Sequence, residues 1–519
     1  MKISGKIVDI YSREIYPAEI SVTDGVINKI VRSDSADDIY ILPGLVDSHI
    51  HIESSMVTPG SFAREAVSRG TTAVVSDPHE IANVLGIEGV RYMVRDGEKV
   101  PLKFFFGAPS CVPATPFETS GAVLTQFEIE ELFRTGDAKY LSEMMNFPGV
   151  IYDDAEVISK LKVAAIYHKR IDGHAPGLSG DKLKKYIAAG ITTDHECTTL
   201  EEAAEKISLG MKVLIREGSA ARNMDALKPL YRTNPAMVML CSDDLHPEML
   251  MKGHINKLVA HLIRDGYDLF DVIRSCTLNP AEHYGLDIGL LREGQPADLI
   301  LVDDLQNMDI GETWIDGVKV FDNGKVLFDY GDPKPVNRFN CTPVDRSQIN
   351  TGKFTGRIRV IEAYDGLLIT KEAIVSAADI GTTGADRVND IQKIIVKDRY
   401  NDAPPAVGFI KGFGLKAGAF ASSVAHDCHN IICIGTNDDD IVSAVNEVVR
   451  LKGGLAVADG SAINSLQLNI AGIMSSLPVK EVASAYQDLS DHVRSLGCIM
   501  SAPFMTLSFM ALLVIPELK

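Results

Sequence analysis

From Leu42 to about Tyr284 the chain alternates short apolar runs with stretches of helical character. That pattern is the signature of βα units around a parallel sheet. The strand candidates are GLVDSHIH, TTAVVSDPHE, LKFFFGAPS, AKYLSEM, RIDGHAP, ITTDHECT, KVLIREGSA and AMVMLCSDD. Between several of them lie amphipathic segments such as SGDKLKKYIAAG and TLEEAAEKISLG. Each of these closes on a glycine, as helix C-termini often do. Eight such units, every strand ending in polar or ionisable residues, predict an α/β chain built on a (β/α)8 barrel. In that fold the chemistry gathers at the C-terminal ends of the strands.

Two β-rich pieces flank the barrel, residues 1–41 and 285–335, with strand–turn–strand patterns such as EISVTDGVINKIV and DIGETWIDGVKVF. Their similar character pairs them as one small split β domain, with the barrel spanning residues 42–284. Beyond the polar stretch DYGDPKPVNRFN, residues 340–519 mix strands such as RIRVIEAY with helices such as DDIVSAVNEVVRLKG. This region is expected to be a separate α+β domain.

At 519 residues, two or three domains are expected. A net charge of −19 argues against phosphate backbones and anionic membrane surfaces as partners. The N-terminus lacks an apolar core long enough for a signal peptide. The one membrane-like stretch, CIMSAPFMTLSFMALLVIPELK, is marginal in length, is interrupted by Pro503 and hydroxyl residues, and is expected to be buried core. Eight cysteines contain no C-x-x-C, so reduced thiols and a cytoplasmic setting are expected.

The strand ends carry the chemistry. The first gives His49 and His51, one residue apart, so an extended strand puts both imidazoles on one face. The fourth gives Glu143, the fifth His174, the sixth His195 and the eighth Asp243. Taken singly, each is as well explained by a surface or hydrogen-bonded core residue. Together, four histidines, a glutamate and an aspartate converging on one barrel mouth call for a metal focus. His49, His51 and Asp243 can hold one divalent ion, and His174 and His195 a second, with Glu143 bridging. Imidazole and carboxylate suit zinc, iron or manganese. Such ions lower the pKa of water by many units, and Asp243 can accept the water proton and pass it on. The expected chemistry is hydrolysis at a planar, electrophilic carbon. Strand alternation should send Asp243 and its neighbour Asp244 to opposite sides.

PGLVDSHIHIE together with GQPADLILVDD resembles the amidohydrolase superfamily. More narrowly, HIHIESSMVTPGSFAREAVSRGTTAVVSDPHEIANVLG, SEMMNFPGVI, IDGHAPGLSG, ITTDHECTT and VAHDCHNIICIGTND resemble the bacterial and archaeal adenine deaminase family over nearly the whole chain. The resemblance implies conversion of adenine and water to hypoxanthine and ammonia in purine salvage or catabolism. It also implies two manganese or iron ions, a homodimer or higher homo-oligomer, and the metal ligands named above. In other deaminases of the superfamily a glutamate three residues after the fifth-strand histidine protonates the ring nitrogen of the base. Here that position is Gly177, so the proton must come from elsewhere. Glu80, Glu118 and Glu217 are the candidates, each equally readable as a helix cap or a solvated carboxylate. His426, Asp427 and His429 in HDCHN could bind a further metal, close over the site, or form a structural turn. His79 belongs with them. Cys197 and Cys241 adjoin metal ligands and are expected to be packing residues.

Two other readings stay open at this point. The same scaffold serves hydrolases of cyclic amides and N-acyl groups. A catalytically silent scaffold would have lost ligands, and all six are present. A nucleic-acid deaminase is set aside, because the zinc signature that joins H-x-E to P-C-x-x-C is incomplete, no C-x-x-C being present, and the net charge suggests no basic groove.

Overall fold

The structure, a computed structural model, describes every residue except 220, 353, 368, 381–384, 387, 461, 514–517 and 519. The chain begins with strands β1 (Lys2–Asp9), β2 (Glu14–Thr23), β3 (Val26–Arg32) and β4 (Tyr40–Pro43). The barrel strands follow: β5 (Leu45–Ile50), β6 (Thr71–Ser76), β7 (Lys103–Ala108), β8 (Tyr140–Met144), β9 (Ile171–Gly173), β10 (Thr193–Asp194), β11 (Lys212–Arg216) and β12 (Val238–Cys241). Next come β13 (Leu299–Val302), β14 (Ile310–Ile315), β15 (Val318–Asp322) and β16 (Lys325–Val326). The last group is β17 (Arg357–Glu362), β18 (Lys371–Ser376), β19 (Ile391–Lys397), β20 (Ala406–Lys411), β21 (Ala419–Ser422), β22 (Ile431–Gly435), β23 (Gly454–Asp459) and β24 (Ala462–Gln467).

The first and third groups share one sheet of order β16-β15-β14-β13-β4-β1-β2-β3. β4 is the link, parallel to β1 and antiparallel to β13 with Pro43 opposite Leu299. The β2–β3 hairpin turns on Asp24-Gly25, both at positive φ (51° and 80°). Two left-handed residues give the turn twist that matches the strands, which is why an Asp-Gly pair sits there.

β5 to β9 form one parallel ribbon and β10 to β12 another. Two seams join them: Ile171 pairs with Ile191, and Ile50 pairs with Asp243. Every residue of β5, β6, β8 and β12 is buried, as expected of strands covered on both faces. The helices Gly180–Ala188 and Leu200–Ser208 follow β9 and β10. Gly190 and Gly210 sit past their ends at φ 98° and 90°, the left-handed termination that glycine adopts freely.

The C-terminal sheet runs β18-β17-β20-β19-β22-β21-β23-β24. Alternation along its strands makes two apolar faces. Ala419, Ala421 and Cys433 pack with the helix Asp438–Leu451. Phe420, Ile432 and Ile434 face the other way, into a core that also contains Ile50, Ile52 and Phe62 of the barrel. Barrel and C-terminal sheet thus share one apolar core. The carboxy-terminal apolar run supplies part of it: the helix Pro503–Phe509 is buried, with Phe504 edge-on to Phe420 at 5.3 Å. The end of that run, residues 514–517 and 519, lies outside the described residues. Among the described residues no helix is long and apolar enough to cross a membrane.

A buried lysine ties two βα units together. Lys206 Nζ donates to Asp194 Oδ2 (2.5 Å), the Ala175 carbonyl (2.8 Å) and Glu202 Oε1 (2.7 Å), and Lys206 and Asp194 are both fully buried. Removing one partner of such a pair strands the other charge. Lys206→Ala is expected to cost about 3–5 kcal/mol of stability, read as a lowered urea midpoint. An unchanged midpoint would show that Asp194 finds another partner.

Candidate metal centre

His49 and His51 leave β5 on one face, with their Nε2 atoms 3.2 Å apart. Their orientation is fixed from behind. His51 Nδ1 lies 3.1 Å from the Asp77 carbonyl, which can only accept, so the ring proton is on Nδ1 and Nε2 carries a lone pair inward. Asp47 accepts from Ser242 N (3.1 Å) and holds His254 Nε2 (2.9 Å), pinning β5 to the segment after β12.

Asp243 lies beyond the end of β12 at φ 55°. Aspartate tolerates this left-handed conformation. Its Oδ1 is 3.4 Å from His49 Nε2 and 3.3 Å from His51 Nε2. The expected opposition of Asp243 and Asp244 fails here. Alternation requires extended backbone, and the strand stops at Cys241. Asp244 therefore lines the same cavity, where its Oδ1 accepts from Ser54 Oγ at 2.5 Å.

Glu143, at the end of β8, spans the cluster. Its Oε1 is 3.5 Å from His51 Nε2, and its Oε2 is 2.9 Å from His174 Nδ1 and 3.0 Å from His195 Nε2. His195 also stacks on His49 at 4.2 Å. Ligand atoms of His49, His195 and Asp243 lie within 4.8 Å of one another, as do those of Glu143, His174 and His195. All six residues are buried.

These donors fit a divalent cation. Inward-facing ring nitrogens beside carboxylate oxygens concentrate lone pairs in a buried space, and His174 Nε2 has no hydrogen-bond partner. Such a set is stable only around positive charge. Burial disfavours ionised Asp243 and Glu143, but their neighbours outweigh it. Arg216 and the paired imidazoles hold Asp243 well below the usual carboxylate range. His174 and His195 do the same for Glu143.

Two charged residues that line the cavity escaped sequence reasoning. Arg216, the last residue of β11, donates to Asp243 Oδ2 and to both oxygens of Glu196, the latter at 2.5 and 3.0 Å. Both lie at predicted strand ends, in KVLIREGSA and TTDHECT. The signal was there, but neither an arginine nor a second glutamate is sought when strand ends are screened for metal-ligand patterns.

The rest of the cavity wall comes from His79, Glu80, Met145, His426, Asp427, Phe509 and Leu512. The last four belong to the C-terminal region, which covers the barrel mouth. His426, Asp427 and His429 ride on the β21–β22 connection. Asp427 is pushed up to about 7 by burial. Of the three glutamates weighed as proton donors, only Glu80 reaches the cavity. Glu118 lies behind the loop, accepting from Cys428 Sγ at 2.8 Å. Glu217 lines a neighbouring cavity with Arg222 and His261 and accepts from Met224 N. Cys197 and Cys241 are fully buried among apolar side chains.

The amidohydrolase family pattern matches residues 40–320, and the adenine deaminase C-terminal domain matches residues 368–519. An adenine deaminase of Methanosarcina mazei is 52% identical, covering 100% of this chain and 96% of the relative. That of Salinibacter ruber is 50% identical over 100% and 95%. The chain belongs to the adenine deaminase family. Solved structures align more distantly. A β-aspartyl dipeptidase of Fervidobacterium islandicum covers 63% of this chain and 99% of its own, at TM-score 0.49 and 16% identity. An enamidase covers 63% and 97% at TM-score 0.47 and 18% identity. Neither bears on function.

In this family member Arg216 donates hydrogen bonds to both Asp243 and Glu196. Lysine keeps the charge but lacks the planar fork. Arg216→Lys is expected to lower metal affinity or activity by roughly 10- to 100-fold, measured by metal titration and turnover. Wild-type values for both would show that Asp243 is positioned without it.

Proposed function

We propose that this chain catalyses the hydrolytic deamination of adenine to hypoxanthine and ammonia in purine salvage or catabolism, using two divalent ions, manganese or iron. The reading rests on identity of about half the residues to adenine deaminases across the entire chain, including the C-terminal region that covers the site. A generic hydrolase of cyclic amides or N-acyl groups would share the barrel ligands but has no claim on that region.

His49, His51 and Asp243 would hold one ion and His174 and His195 the other, with Glu143, whose two oxygens face the two groups, between them. Ions bound there supply Lewis acidity, which brings water within reach of deprotonation at neutral pH. Asp243 takes the proton of the attacking water and delivers it to the departing amine. Arg216 holds the second oxygen of Asp243, leaving Oδ1 to face His49 and His51. The covered mouth excludes bulk water, which strengthens each of these interactions.

Ammonia release from adenine, set against ring opening of hydantoin or dihydroorotate, tests the substrate. Failure to release ammonia from adenine sinks the reading. His49→Ala, Glu143→Ala and His195→Ala are each expected to lose most activity together with metal. Asp243→Asn should depress kcat by roughly 10²- to 10⁴-fold with little change in KM. Asp244→Asn, with metal loading matched, should be milder. The reverse order of severity would move the proton shuttle to Asp244.

A further inference from the structure

Attack at C6 of adenine needs a proton at the adjacent ring nitrogen N1, and the proton carried by Asp243 goes to the amine. Gly177 has no side chain to offer. Glu80 reaches the cavity but is bonded as an anion. His426 Nδ1 is hydrogen-bonded to Glu80 Oε1, and His429 Nε2 lies against Glu80 Oε2. Ala425 N donates to His429 Nδ1 at 3.2 Å, so the ring proton of His429 is on Nε2, facing Glu80. Glu80 is thus hydrogen-bonded at Oε1, with the His429 ring against Oε2 and His79 Nε2 at 3.5 Å from Oε1, and these neighbours hold it ionised, well below the usual carboxylate range.

His426 is held differently. Its Nδ1–H points to Glu80, its ring stacks on Phe509 at 4.4 Å and 11°, and its backbone N–H donates to the Ser508 carbonyl at 3.1 Å. With Nδ1 engaged, Nε2 is the nitrogen left to the cavity that the ring lines. A carboxylate behind one imidazole nitrogen and reaction space before the other is how a histidine is held as an acid–base group.

We propose that His426, contributed by the C-terminal domain, is the general acid that protonates N1 of the purine, with Glu80 as its positioning residue. The assignment deepens the adenine reading and rests on it. As the water oxygen bonds to C6, the C6–N1 π pair moves to N1 and takes the proton from His426 Nε2. The C6–N bond then breaks, and the amine leaves with its electron pair and the proton from Asp243, as ammonia. When C6–OH becomes C6=O, its proton returns to His426. The N1 proton stays in hypoxanthine, and no other reactant is required.

The surroundings support the protonated ring. The titratable groups around His426 are Glu80 and His79 from the helix after β6, His79 sharing Glu80 Oε1 with it at 3.5 Å, Asp244 and His246 from the segment after β12, and Asp427 and His429 from its own loop. Burial opposes charge on His426, but the Glu80 carboxylate outweighs it and raises the ring to about 9. Burial keeps His429 and His246 neutral, at about 4 and about 3. An acid of raised pKa works below that pKa and fails above it. The resulting prediction is an alkaline limb in kcat/KM.

The test uses the full-length, metal-loaded enzyme, with ammonia release from adenine, metal per chain and circular dichroism measured for each variant. His426→Gln is expected to lower kcat/KM by roughly 10²-fold or more at unchanged metal content, and to abolish the alkaline limb. Glu80→Gln is expected to move that limb down by roughly one pH unit or more, because the imidazolium loses its counter-charge. That shift carries the test if His426→Gln does not fold. Activity of His426→Gln within about threefold of wild type overturns the proposal, as does a limb unmoved in both variants. So does a further ion per chain that is lost with His426, which would make the cluster a metal site. Failure of the wild-type enzyme to release ammonia from adenine overturns the adenine reading itself, and this assignment with it.

Discussion

The barrel closes through two backbone hydrogen bonds that are also the scaffold of the metal centre. Asp243 N donates to the His49 carbonyl at 2.9 Å, and His51 N donates to the Asp243 carbonyl at 3.2 Å. Three of the six ligand candidates are therefore spaced by main-chain geometry rather than by side-chain packing. Main-chain bonds cannot drift without opening the seam between the first and last strands, so the ligand spacing inherits the rigidity of the barrel. Asp47 reinforces the same seam from below through Ser242 and His254. Preorganisation of this kind spares the site the reorganisation that a loop-borne ligand set would need.

That seam also sets where the second half of the site can come from. Ile50 and Ile52, on either side of His51, are fully buried in the core shared with Phe420, Ile432 and Ile434 of the C-terminal sheet. This shared apolar burial holds the C-terminal sheet against the barrel, and it seats the β21–β22 connection over the barrel mouth. The bond between His426 and Glu80, 346 residues apart, is the polar counterpart of that packing. A buried carboxylate between two histidines is costly unless both of its oxygens are met. The two histidines that oppose the charge of Glu80, His426 through a hydrogen bond and His429 through a close contact, reach it only when the C-terminal domain is docked.

Much of this was legible in the sequence, and the exceptions are instructive. The eight βα units, the Asp-Gly hairpin and the shared face of His49 and His51 follow from local periodicity and turn chemistry, which a linear string carries. The placing of Asp244 does not. Alternation assumes extended backbone, and the left-handed conformation of Asp243 leaves no pattern, since aspartate is ordinary in strands' ends and turns alike. Arg216 and Glu196 were visible as strand-end residues, but their partnership with Asp243 depends on which strands neighbour in space. The pairing of Glu80 with His426 has no local signal at all. HDCHN announces chemistry without saying which surface it will meet, and Glu118 and Glu217 looked equally eligible until the fold turned them away from the cavity.

Deamination asks one cavity to keep an acid and a base side by side, and the two-domain construction answers that demand electrostatically. A proton acceptor must be stable as an anion, and Asp243 is held so by Arg216 and the β5 histidines. A proton donor must be stable as a cation, and His426 is held so by Glu80. Groups that need opposite local fields cannot share a supporting set, because each counter-ion would neutralise the other's. The barrel's strand ends already carry the supports for the base. The acid is supported instead on a loop of another domain, with its carboxylate drawn from the edge of the mouth and its ring clamped by Phe509. Placing the two on separate backbones lets each field be fixed independently, and docking of the domains brings them to the same substrate.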